Sequence, residues 1–533
     1  EIFDFTEYPS LIRGGHNTYQ LVVDIKPVNS VFKKVDILVA LNQNTIKYNL
    51  VDMNKDGAFI YDSDKVKVSS AILSNNNIQG IAIPLTTIAK EAGGELMRNV
   101  VALGTTMYLV GQPLTIANKI VRETFSKKGK KIVDNNIKAL KAGYDFVKAN
   151  MEDEFMCKLP SLKAKDNILI TANESLALGA VAGGLGFYAA YPMTPSSSIL
   201  HYLAKIAAKT GLVVKHAEDE ISVANMALGA SHMGARSMVA TSGGGFALMT
   251  ETLGLVGLTE TPLVMINVQR GGPATGLPTW TEQADLQFML HAAQGDFPRI
   301  VMAPGDAGEA FEMGHQALNW ADMYQLPVLI LSDKLIGEGN TTVPRFNSKN
   351  VKINRGKILT QAQLNKIKEY GRYKVTQDGI SPRALPGMKG GLFIANSDEH
   401  DAYGFSNEDS QNRIDQVDKR YRKLDEFRKI MPKPLIYGNP KAKKTVVFWG
   451  SNKGVVLDSY VALPDKIKSK IRIMQYQYLW PFDGEFTKQI LNSSKDILLI
   501  ENNPNGQLAN LIAQETGIMI KNKLLKYDGR PFF

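Results

Sequence analysis

Cysteine is nearly absent from this sequence. The only one is Cys157, in a chain of 533 residues. One thiol cannot form a disulfide within the chain, which fits a reducing compartment such as the cytoplasm. A cubane iron–sulfur cluster usually needs four thiolates, so this chain cannot hold one alone. If the protein takes part in redox chemistry, the metal centre must therefore lie on another polypeptide.

Long hydrophobic runs and nucleotide-binding motifs are also missing. No stretch of about 18 uncharged apolar residues occurs, and the N-terminus lacks the basic, apolar and small-residue pattern of a signal peptide. We therefore predict no membrane association. The glycine-rich TSGGGF segment (Thr241 to Phe246) lacks the following lysine and the spacing of a P-loop, and no dinucleotide-binding motif is present.

Charge is only moderately biased. Lys and Arg number 62 against 52 Asp and Glu, which gives a net charge of +10. Lysine clusters at 127–131 and 441–444 have no interleaved aromatic residues, so they indicate a solvated surface and not a nucleic-acid site. A basic face that attracts an acidic partner is the alternative interpretation.

The apolar runs that are present predict an α/β fold. A single core stops growing near about 250–300 residues, so several domains are expected. Short apolar runs alternate with helix-like segments, which indicates parallel sheets. We predict a multi-domain α/β protein with a polar linker at 151–166. Its predicted parts are an α/β domain at 1–155, a second at 166–340, an extended arm at 341–435 and a third α/β domain at 436–533.

Four polar or glycine-rich segments each follow a predicted strand of the second domain. In open parallel sheets, ligands bind beyond the carboxyl ends of the strands. We therefore expect one site built from all four. The segments are YPMTPSS (Tyr191 to Ser197), AEDE (Ala217 to Glu220), TSGGGF (Thr241 to Phe246) and RGGPATGLPT (Arg270 to Thr279).

Two residues in these segments suit an anion. Thr194 is predicted to cap a helix that starts at Pro195, where a hydroxyl and backbone N–H groups can bind a carboxylate. The plain alternative is an ordinary N-cap. Arg270 can bind a carboxylate through two parallel hydrogen bonds, although it could equally be a surface arginine. The residues alone therefore predict an anion site near Thr194 and Arg270.

The acidic clusters are less informative. Glu218, Asp219 and Glu220 open a predicted helix, where acidic residues complement the helix dipole without any chemistry. Only one of them need be functional. DEHD (Asp398 to Asp401) has metal-ligand residue types, but adjacent ligands rarely hold a transition metal alone. A structural loop is the favoured interpretation there, and we predict no metal site on this chain.

Several long motifs carry a resemblance to a known family. The sequence resembles the 2-oxoacid:ferredoxin oxidoreductases, in particular the α subunit of the 2-oxoglutarate type with a γ-like domain fused at its N-terminus. YPMTPSS matches the YPITP motif of that family. Further similar segments, in order, are EYPSLIRGGHNTYQ (Glu7 to Gln20), AEDE, TSGGGF, RGGPATGLPT, TEQADL (Thr281 to Leu286), GISPRALPG (Gly379 to Gly387), IENNPNGQLA (Ile500 to Ala509) and the closing YDGRPF.

The resemblance implies a reaction and a division into domains. Such enzymes decarboxylate a 2-oxoacid on thiamine diphosphate, pass electrons through an iron–sulfur cluster to ferredoxin, and release acyl-CoA from coenzyme A. The favoured substrate is 2-oxoglutarate. Residues 1–155 then form the γ-like domain, 166–340 the pyrimidine-type thiamine-diphosphate-binding domain, and 436–533 a transketolase C-terminal-like domain.

The resemblance also assigns site residues. Glu220 matches the catalytic glutamate that contacts N1′ of the cofactor's aminopyrimidine. Thr194 and Arg270 match the residues that hold the 2-oxo and carboxylate groups of the substrate. Tyr191 and Thr279 match positions that line the same pocket.

A partner subunit is implied as well. A thiamine diphosphate site needs Mg²⁺ and a GDG…N type segment, which this sequence lacks. In the family, Mg²⁺ and the iron–sulfur cluster lie on the β subunit, so the chain is expected to be active only in a hetero-oligomer. Alternatives are the same chemistry on pyruvate or branched 2-oxoacids, a non-catalytic scaffold subunit, and, less favoured, a transketolase-like transferase.

Three departures from the family pattern qualify these expectations. The glycine-rich segment that opens the γ-like domain in the family is missing, so we expect a trimmed N-terminus and leave coenzyme A contacts open. QGDFP (Gln294 to Pro298) stands where the family commonly has HGEFP. Met193 replaces the isoleucine of the YPITP motif, and its flexible thioether can change the shape of the pocket.

Overall fold

The computed structural model describes residues 1–11, 14–73, 78–151, 158–160, 162 and 165–533. These residues form two units: residues 1–31 together with 166–533, and residues 32–165. Most of the predicted polar linker, including Cys157, and Arg13 of the first family-like segment lie outside the described residues. Within the described ranges, no helix has the length and apolar character needed to cross a membrane.

The strands and helices are numbered in chain order. The strands are β1 Ile2–Glu7, β2 Thr18–Val23, β3 Val35–Ala40, β4 Met53–Asp62, β5 Ile78–Ile83, β6 Asn167–Ile170, β7 Phe187–Ala190, β8 Val213–His216, β9 Ser237–Thr241, β10 Leu263–Gln269, β11 Ile300–Met302, β12 Pro327–Asp333, β13 Thr341–Pro344, β14 Leu435–Gly438, β15 Lys444–Trp449, β16 Ile471–Tyr476, β17 Tyr478–Trp480, β18 Asp496–Glu501 and β19 Asn522–Leu525. The α-helices are α1 Gln43–Asn49, α2 Ser70–Leu73, α3 Leu85–Ala92, α4 Arg98–Leu109, α5 Leu114–Phe125, α6 Lys130–Asn150, α7 Ala172–Ala182, α8 Ser197–Thr210, α9 Glu220–His232, α10 Gly243–Leu248, α11 Thr250–Leu258, α12 Leu286–His291, α13 Ala307–Tyr324, α14 Lys334–Glu338, α15 Gln361–Leu364, α16 Ser410–Arg428, α17 Asn452–Ala462, α18 Asp465–Lys468, α19 Gly484–Asn492 and α20 Gln507–Thr516. Short 3-10 helices occupy Leu50–Asp52, Glu95–Met97, Ser126–Lys128 and Ser348–Asn350.

A seven-stranded sheet forms the centre of the larger unit. Its strand order is β17-β11-β12-β10-β9-β7-β8, and every pairing is parallel except that of β17 with β11. Every residue of β9, β10 and β12 is buried. Strands buried on both faces require continuous apolar runs, which is how the sequence predicted them. The α/β fold class with parallel sheets is confirmed.

The N-terminal boundary differs from the prediction. Strands β1 and β2 form an antiparallel pair, and β1 also pairs with β13, which in turn pairs with β6. Residues 1–31 therefore belong to the larger unit and not to one domain at 1–155. The physical reason is burial: Phe3 and Phe5 of β1 join the core cluster that also contains the helix α7 and strand β10 residues.

The C-terminal part restarts the α/β pattern as predicted. Its five-stranded sheet has the order β14-β16-β15-β18-β19, with β14 antiparallel to β16 and the other pairs parallel. Strand β17 leaves this sheet and pairs with β11. Residues 436–533 therefore do not form a separate sheet only, because their strand β17 completes the edge of the central sheet.

The smaller unit, residues 32–165, has its own parallel sheet of order β3-β4-β5. Helices α4 and α6 pack closely in this unit. A Cβ atom at Gly104 would lie 2.0 Å from the backbone oxygen of Leu140, and one at Gly143 would lie 2.1 Å from that of Val101. The two glycines therefore allow the helix backbones to touch, which explains their place in otherwise good helical sequence.

Candidate active site

The four polar segments lie at one edge of the central sheet, as predicted. They follow β7, β8, β9 and β10, and these strands are neighbours running in the same direction. Their carboxyl ends therefore open on a shared edge, where ligands of such sheets bind.

Glu220 is the only member of its acidic triplet that is buried. The predicted helix begins at Glu220, two residues late, because the Asp219 side chain accepts a hydrogen bond from the backbone N–H of Ser222 at 2.7 Å and acts as N-cap. Glu218 stays exposed, whereas Glu220 is only 3% exposed. Its Oε1 is buried without a hydrogen-bond partner among the described residues. Such an atom is costly unless a ligand satisfies it.

The glycine segment after β9 packs directly against that carboxyl group. A Cβ atom at Gly245 would lie 2.0 Å from Thr241 Oγ1 and 2.5 Å from Glu220 Oε1. Only glycine lets these groups approach the helix backbone so closely. Glu220 Oε1 is a buried acceptor without a partner among the described residues, and it lies against the glycine backbone. This arrangement fits the aminopyrimidine of the cofactor that the family resemblance implies.

Thr194 and Arg270 are brought together, but not as an N-cap and a free guanidinium. Helix α8 starts at Ser197 with Ser196 as its N-cap, so the prediction that Thr194 caps the helix is wrong. The turn takes the chain past Thr194 before the helix begins, since both the backbone N–H and the hydroxyl of Ser196 donate to the Met193 oxygen. Arg270 Nη1 instead donates to the backbone oxygen of Thr194 at 2.6 Å.

Arg270 retains donors for a ligand, and its electrostatic surroundings are mixed. Burial lowers its pKa, and the nearby Asp285 carboxyl works against that shift. Burial likewise raises the pKa of Asp285, opposed by a hydrogen bond from Asn267 (2.9 Å) and by Arg270. Arg270 is half buried, and burial disfavours the ionised form of its neighbour Asp285. An anionic ligand would therefore stabilise the charged guanidinium of Arg270.

The two remaining predicted residues are placed differently. Tyr191 is 39% exposed at the end of β7, with its ring 6.4 Å from that of His216. Thr279 is buried, and its hydroxyl donates to the backbone oxygen of Tyr8 at 2.5 Å. Tyr191 is therefore available to a ligand, while the Thr279 hydroxyl proton already holds the loop against the N-terminal strand.

The TEQADL segment also lies at the site, although the sequence assigned its residues no chemical role. Gln283 ties the segment to the C-terminal sheet: it donates to the Trp449 oxygen (2.9 Å) and accepts from Asn452 (2.8 Å). Glu282 and Asp285 lie beside the loop that starts at Arg270. Their presence as acids shortly after a glycine- and proline-rich loop was the available signal.

The DEHD segment forms a turn, and Gln294 lies on the surface. Asp401 accepts hydrogen bonds from the backbone N–H groups of Tyr403 and Phe405, as expected for a turn. Across the described ranges, no group of three or more His, Cys, Asp or Glu is placed to hold a metal ion. Gln294, at the position of the family histidine, is exposed and donates to Glu251 at 3.2 Å.

Comparison with family models identifies two regions. The model described as "Pyruvate flavodoxin/ferredoxin oxidoreductase, thiamine diP-bdg" matches residues 178–419. The model described as "Pyruvate ferredoxin/flavodoxin oxidoreductase" matches residues 1–146. The first region contains all four segments of the sheet edge, so a thiamine-diphosphate-binding domain is present at the candidate site.

Relatives of known name match across almost the entire chain. The 2-oxoacid:ferredoxin oxidoreductase subunit alpha of Sulfolobus sp is 32% identical, with 100% of this chain and 90% of that protein covered. The 2-oxoglutarate oxidoreductase subunit KorA of Mycobacterium tuberculosis is 30% identical over 95% of this chain and 81% of its own length. A solved structure of 2-oxoglutarate:ferredoxin oxidoreductase from Magnetococcus marinus, with 2-oxoglutarate, coenzyme A and succinyl-CoA bound, superimposes with a TM-score of 0.92 at 31% identity, covering 100% of this chain and 92% of that one. This chain therefore belongs to the α subunits of the 2-oxoacid:ferredoxin oxidoreductases.

Proposed function

We propose that this chain is the α subunit of an enzyme that oxidatively decarboxylates 2-oxoglutarate with coenzyme A, yielding succinyl-CoA, carbon dioxide and reduced ferredoxin. The observation that carries the proposal is the unpaired, buried Glu220 carboxyl at the same sheet edge as the Arg270–Thr194 contact. The choice of 2-oxoglutarate is supported by the substrate named for the Magnetococcus marinus structure and by the KorA relatives.

The cofactor supplies the carbanion chemistry when bound, and the protein supplies position and charge. Glu220 would hold a proton against the aminopyrimidine nitrogen, in a site where burial strengthens that hydrogen bond. Gly245 lets the Glu220 carboxyl group lie directly against the backbone of α10. Thr241, whose hydroxyl contacts Met193 Sδ at 3.6 Å, would form part of the floor of the same site.

The substrate's carboxylate would bind at Arg270. The hydrogen bond to the Thr194 oxygen holds one guanidinium nitrogen, so the donors left over point in a restricted direction. The Thr194 hydroxyl has no partner among the described residues and is free to donate to the 2-oxo oxygen. Holding the acid in one orientation lowers the entropic cost of reaction, and Tyr191 would close the exposed side of this pocket.

A β subunit would complete the site. Ile221 and Met226 on α9, Met233 just after α9 and Leu248 at the end of α10 are exposed apolar residues. Exposed apolar side chains of this kind are available to a protein interface. The β subunit would hold Mg²⁺, the cofactor's diphosphate and the iron–sulfur cluster, and ferredoxin would receive electrons there. The single cysteine supports a cytoplasmic enzyme.

The domain roles remain part of this proposal. Residues 32–165 would form most of the γ-like domain, residues 166–340 the pyrimidine-type domain, and residues 436–533 the transketolase C-terminal-like domain. Residues 341–435, which were predicted as an arm, would be held against the pyrimidine-type domain by their helix α16.

A second candidate function is the same reaction on pyruvate or a branched 2-oxoacid. It is favoured by the archaeal relatives, whose names specify only a 2-oxoacid. The test is co-expression of this chain with its β subunit, followed by coenzyme A-dependent viologen reduction on a panel of oxoacids. We expect the largest kcat/KM for 2-oxoglutarate. A larger value for pyruvate would select the second candidate, and no stable β partner would contradict the proposal.

Adding a methyl group at Gly245 is expected to abolish cofactor binding, because the methyl group would displace the Glu220 carboxyl group. In Gly245→Ala, the added methyl group would overlap Thr241 Oγ1 and Glu220 Oε1. We expect the purified αβ complex to lose thiamine diphosphate, measured by its content after gel filtration, and with it at least about 100-fold in activity. Gly244→Ala is the matched control, because the nearest atom to its added Cβ is 3.9 Å away. Equal cofactor content in both variants would contradict this placement of the site.

A further inference from the structure

The last residues of the chain lie against the loop that follows Arg270. The backbone N–H of Thr281 donates to the Gly529 oxygen at 3.1 Å, and Gly529 itself is buried. A Cβ atom at Gly529 would lie 3.0 Å from both Leu277 Cδ1 and Trp280 Cβ. The C-terminal backbone therefore packs directly on this loop, and the proposed reaction gives that contact no role.

Arg530 makes the most specific of these contacts. Its guanidinium carbon lies 3.6 Å from the centre of the Trp280 ring, which is close enough for a cation–π interaction. Its Nε pairs with Glu7 Oε1 at 3.3 Å, and its Nη1 donates to the Asp528 backbone oxygen at 3.1 Å. Three partners hold one planar group, so few orientations remain open to it. Arg530 thus joins the loop to the end of strand β1.

The end of the loop that Arg530 holds is connected back to Arg270 by the backbone. The Trp280 N–H donates to the Leu277 oxygen at 3.1 Å, and the Leu277 N–H donates to the Gly271 oxygen at 2.8 Å. Gly271 is the residue that follows Arg270. A continuous series of contacts therefore runs from the guanidinium of Arg530 to the backbone beside Arg270.

The direction of the Arg270 side chain depends on that backbone. One of its nitrogens donates to the Thr194 oxygen at 2.6 Å, and the start of the loop sets the position from which the side chain extends. A guanidinium that binds a carboxylate through two parallel hydrogen bonds must present its plane within narrow limits. If the loop is loose, ordering it when the substrate binds costs affinity.

We propose that Arg530 is a positioning residue for the oxoacid pocket: it fastens the loop at Trp280 and thereby fixes Arg270 for the substrate carboxylate. This inference rests on the proposed function, because it requires Arg270 to bind that carboxylate. Loss of Arg530 should raise KM and leave kcat close to the wild-type value, since an oxoacid that has bound meets unchanged chemistry at Glu220.

The test replaces Arg530 by methionine in the αβ complex, which keeps the length of the side chain and removes its charge and its planar group. We expect KM for the oxoacid to rise about tenfold and kcat to stay within about twofold of wild type, because a cation–π contact and a partly exposed ion pair are lost together. Arg530→Lys keeps a positive charge beside Glu7 and should recover part of the loss. It also supplies the same comparison where the methionine variant fails to assemble.

Arg428→Met is the matched control for these kinetics. Arg428 is an exposed arginine of α16 that pairs with Asp425 at 2.9 Å, so its variant makes the same chemical change away from the loop. Both KM and kcat should stay at the wild-type values. An equal rise of KM in this variant would show that the effect of Arg530→Met does not come from the loop.

Trypsin cleavage after Arg270 gives a second measurement, which needs no turnover. Cleavage of a folded chain follows the population in which the loop is open. In the full chain, Arg530→Met should therefore be cut at this bond about tenfold faster than Arg428→Met, in parallel with the rise of KM.

The outcomes separate this inference from the proposed function. An unchanged KM in Arg530→Met, with or without faster cleavage, or a loss confined to kcat, would overturn the inference while oxoacid turnover still supports the proposed function. Absence of turnover on any oxoacid in the wild-type complex would overturn both.

Discussion

Replacing Glu220 by glutamine is expected to reduce oxoacid-dependent viologen reduction by the αβ complex by about 10²–10⁴-fold, the usual cost of losing a positioned proton-transfer group. Glutamine fits the same space but cannot hold an exchangeable proton on that oxygen. The reason to expect the loss here is burial: Glu220 Oε1 has no hydrogen-bond partner among the described residues and is free to pair with the cofactor. The fall should appear in kcat, since the residue acts on the reaction and not on the oxoacid.

Glu218→Gln is the matched control for this experiment. Glu218 lies in the same segment but is exposed, so its variant should keep the wild-type rate. Wild-type activity in the Glu220 variant would favour the scaffold interpretation, in which this chain only supports a catalytic β subunit. Equal losses in both variants would point to damage at the subunit interface and not to chemistry at Glu220.

The position of the site could be predicted from the sequence because strand direction is a strong constraint. The apolar runs ending at Ala190, Thr241 and Gln269 are short and largely buried, and such runs form parallel strands covered on both faces, whereas the run ending at His216 forms the largely exposed edge strand β8. Once their direction is known, the polar residues after them must share one edge. No side-chain detail is needed for that step, and the structure confirms it.

The finer details were not predictable because they depend on contacts distant in sequence. Strand β1 pairs with β13, across about 340 residues, and nothing local in Ile2–Glu7 distinguishes that pairing from a place in a parallel sheet. The helix start was misplaced because a Thr-Pro pair is an N-cap signal that a turn can override. The position of Glu282 against Gly271 could not be predicted either, since sequence alone cannot show which charged residues are buried.

The same limitation hid a buried cluster of charges that fastens helix α16 to the central domain. Glu260, at the turn between α11 and β10, is fully enclosed. Lys419 lies 2.6 Å from its Oε1, Lys423 pairs with its other oxygen, and Arg372 donates to its backbone oxygen at 2.7 Å. In the sequence, α16 is a strongly charged part of the predicted arm, and nothing in it indicates which side chains are buried. In the structure, the side chains of Lys419 and Lys423 are buried.

The charge on Glu260 is expected to matter for stability in a pH-dependent way. Burial alone would raise the pKa of Glu260, but Lys419, Lys423 and Arg372 together hold it well below its usual range. A carboxyl group whose pKa is lowered on folding stabilises the folded state above its unfolded pKa of 4.5, and that contribution is lost as the pH falls further. The contribution should therefore be complete at neutral pH.

Replacing Glu260 by glutamine at neutral pH is expected to destabilise the larger unit by about 3–5 kcal/mol, because it leaves two buried ammonium groups without a counter-charge. The measurement is the unfolding temperature of the purified chain at about pH 7 and about pH 4; the wild-type chain should lose part of the Glu260 contribution at the lower pH, because the carboxyl group is protonated in the unfolded state while it stays ionised in the folded state. Adding Lys419→Met and Lys423→Met to the Glu260 variant should recover most of the loss, since an apolar cluster of similar volume no longer buries unpaired charge. Asp145→Asn, which breaks the exposed Lys141–Asp145 pair, should change stability by no more than about 0.5 kcal/mol. An unfolding temperature for Glu260→Gln equal to that of Asp145→Asn would show that the cluster does not fasten α16 to the domain.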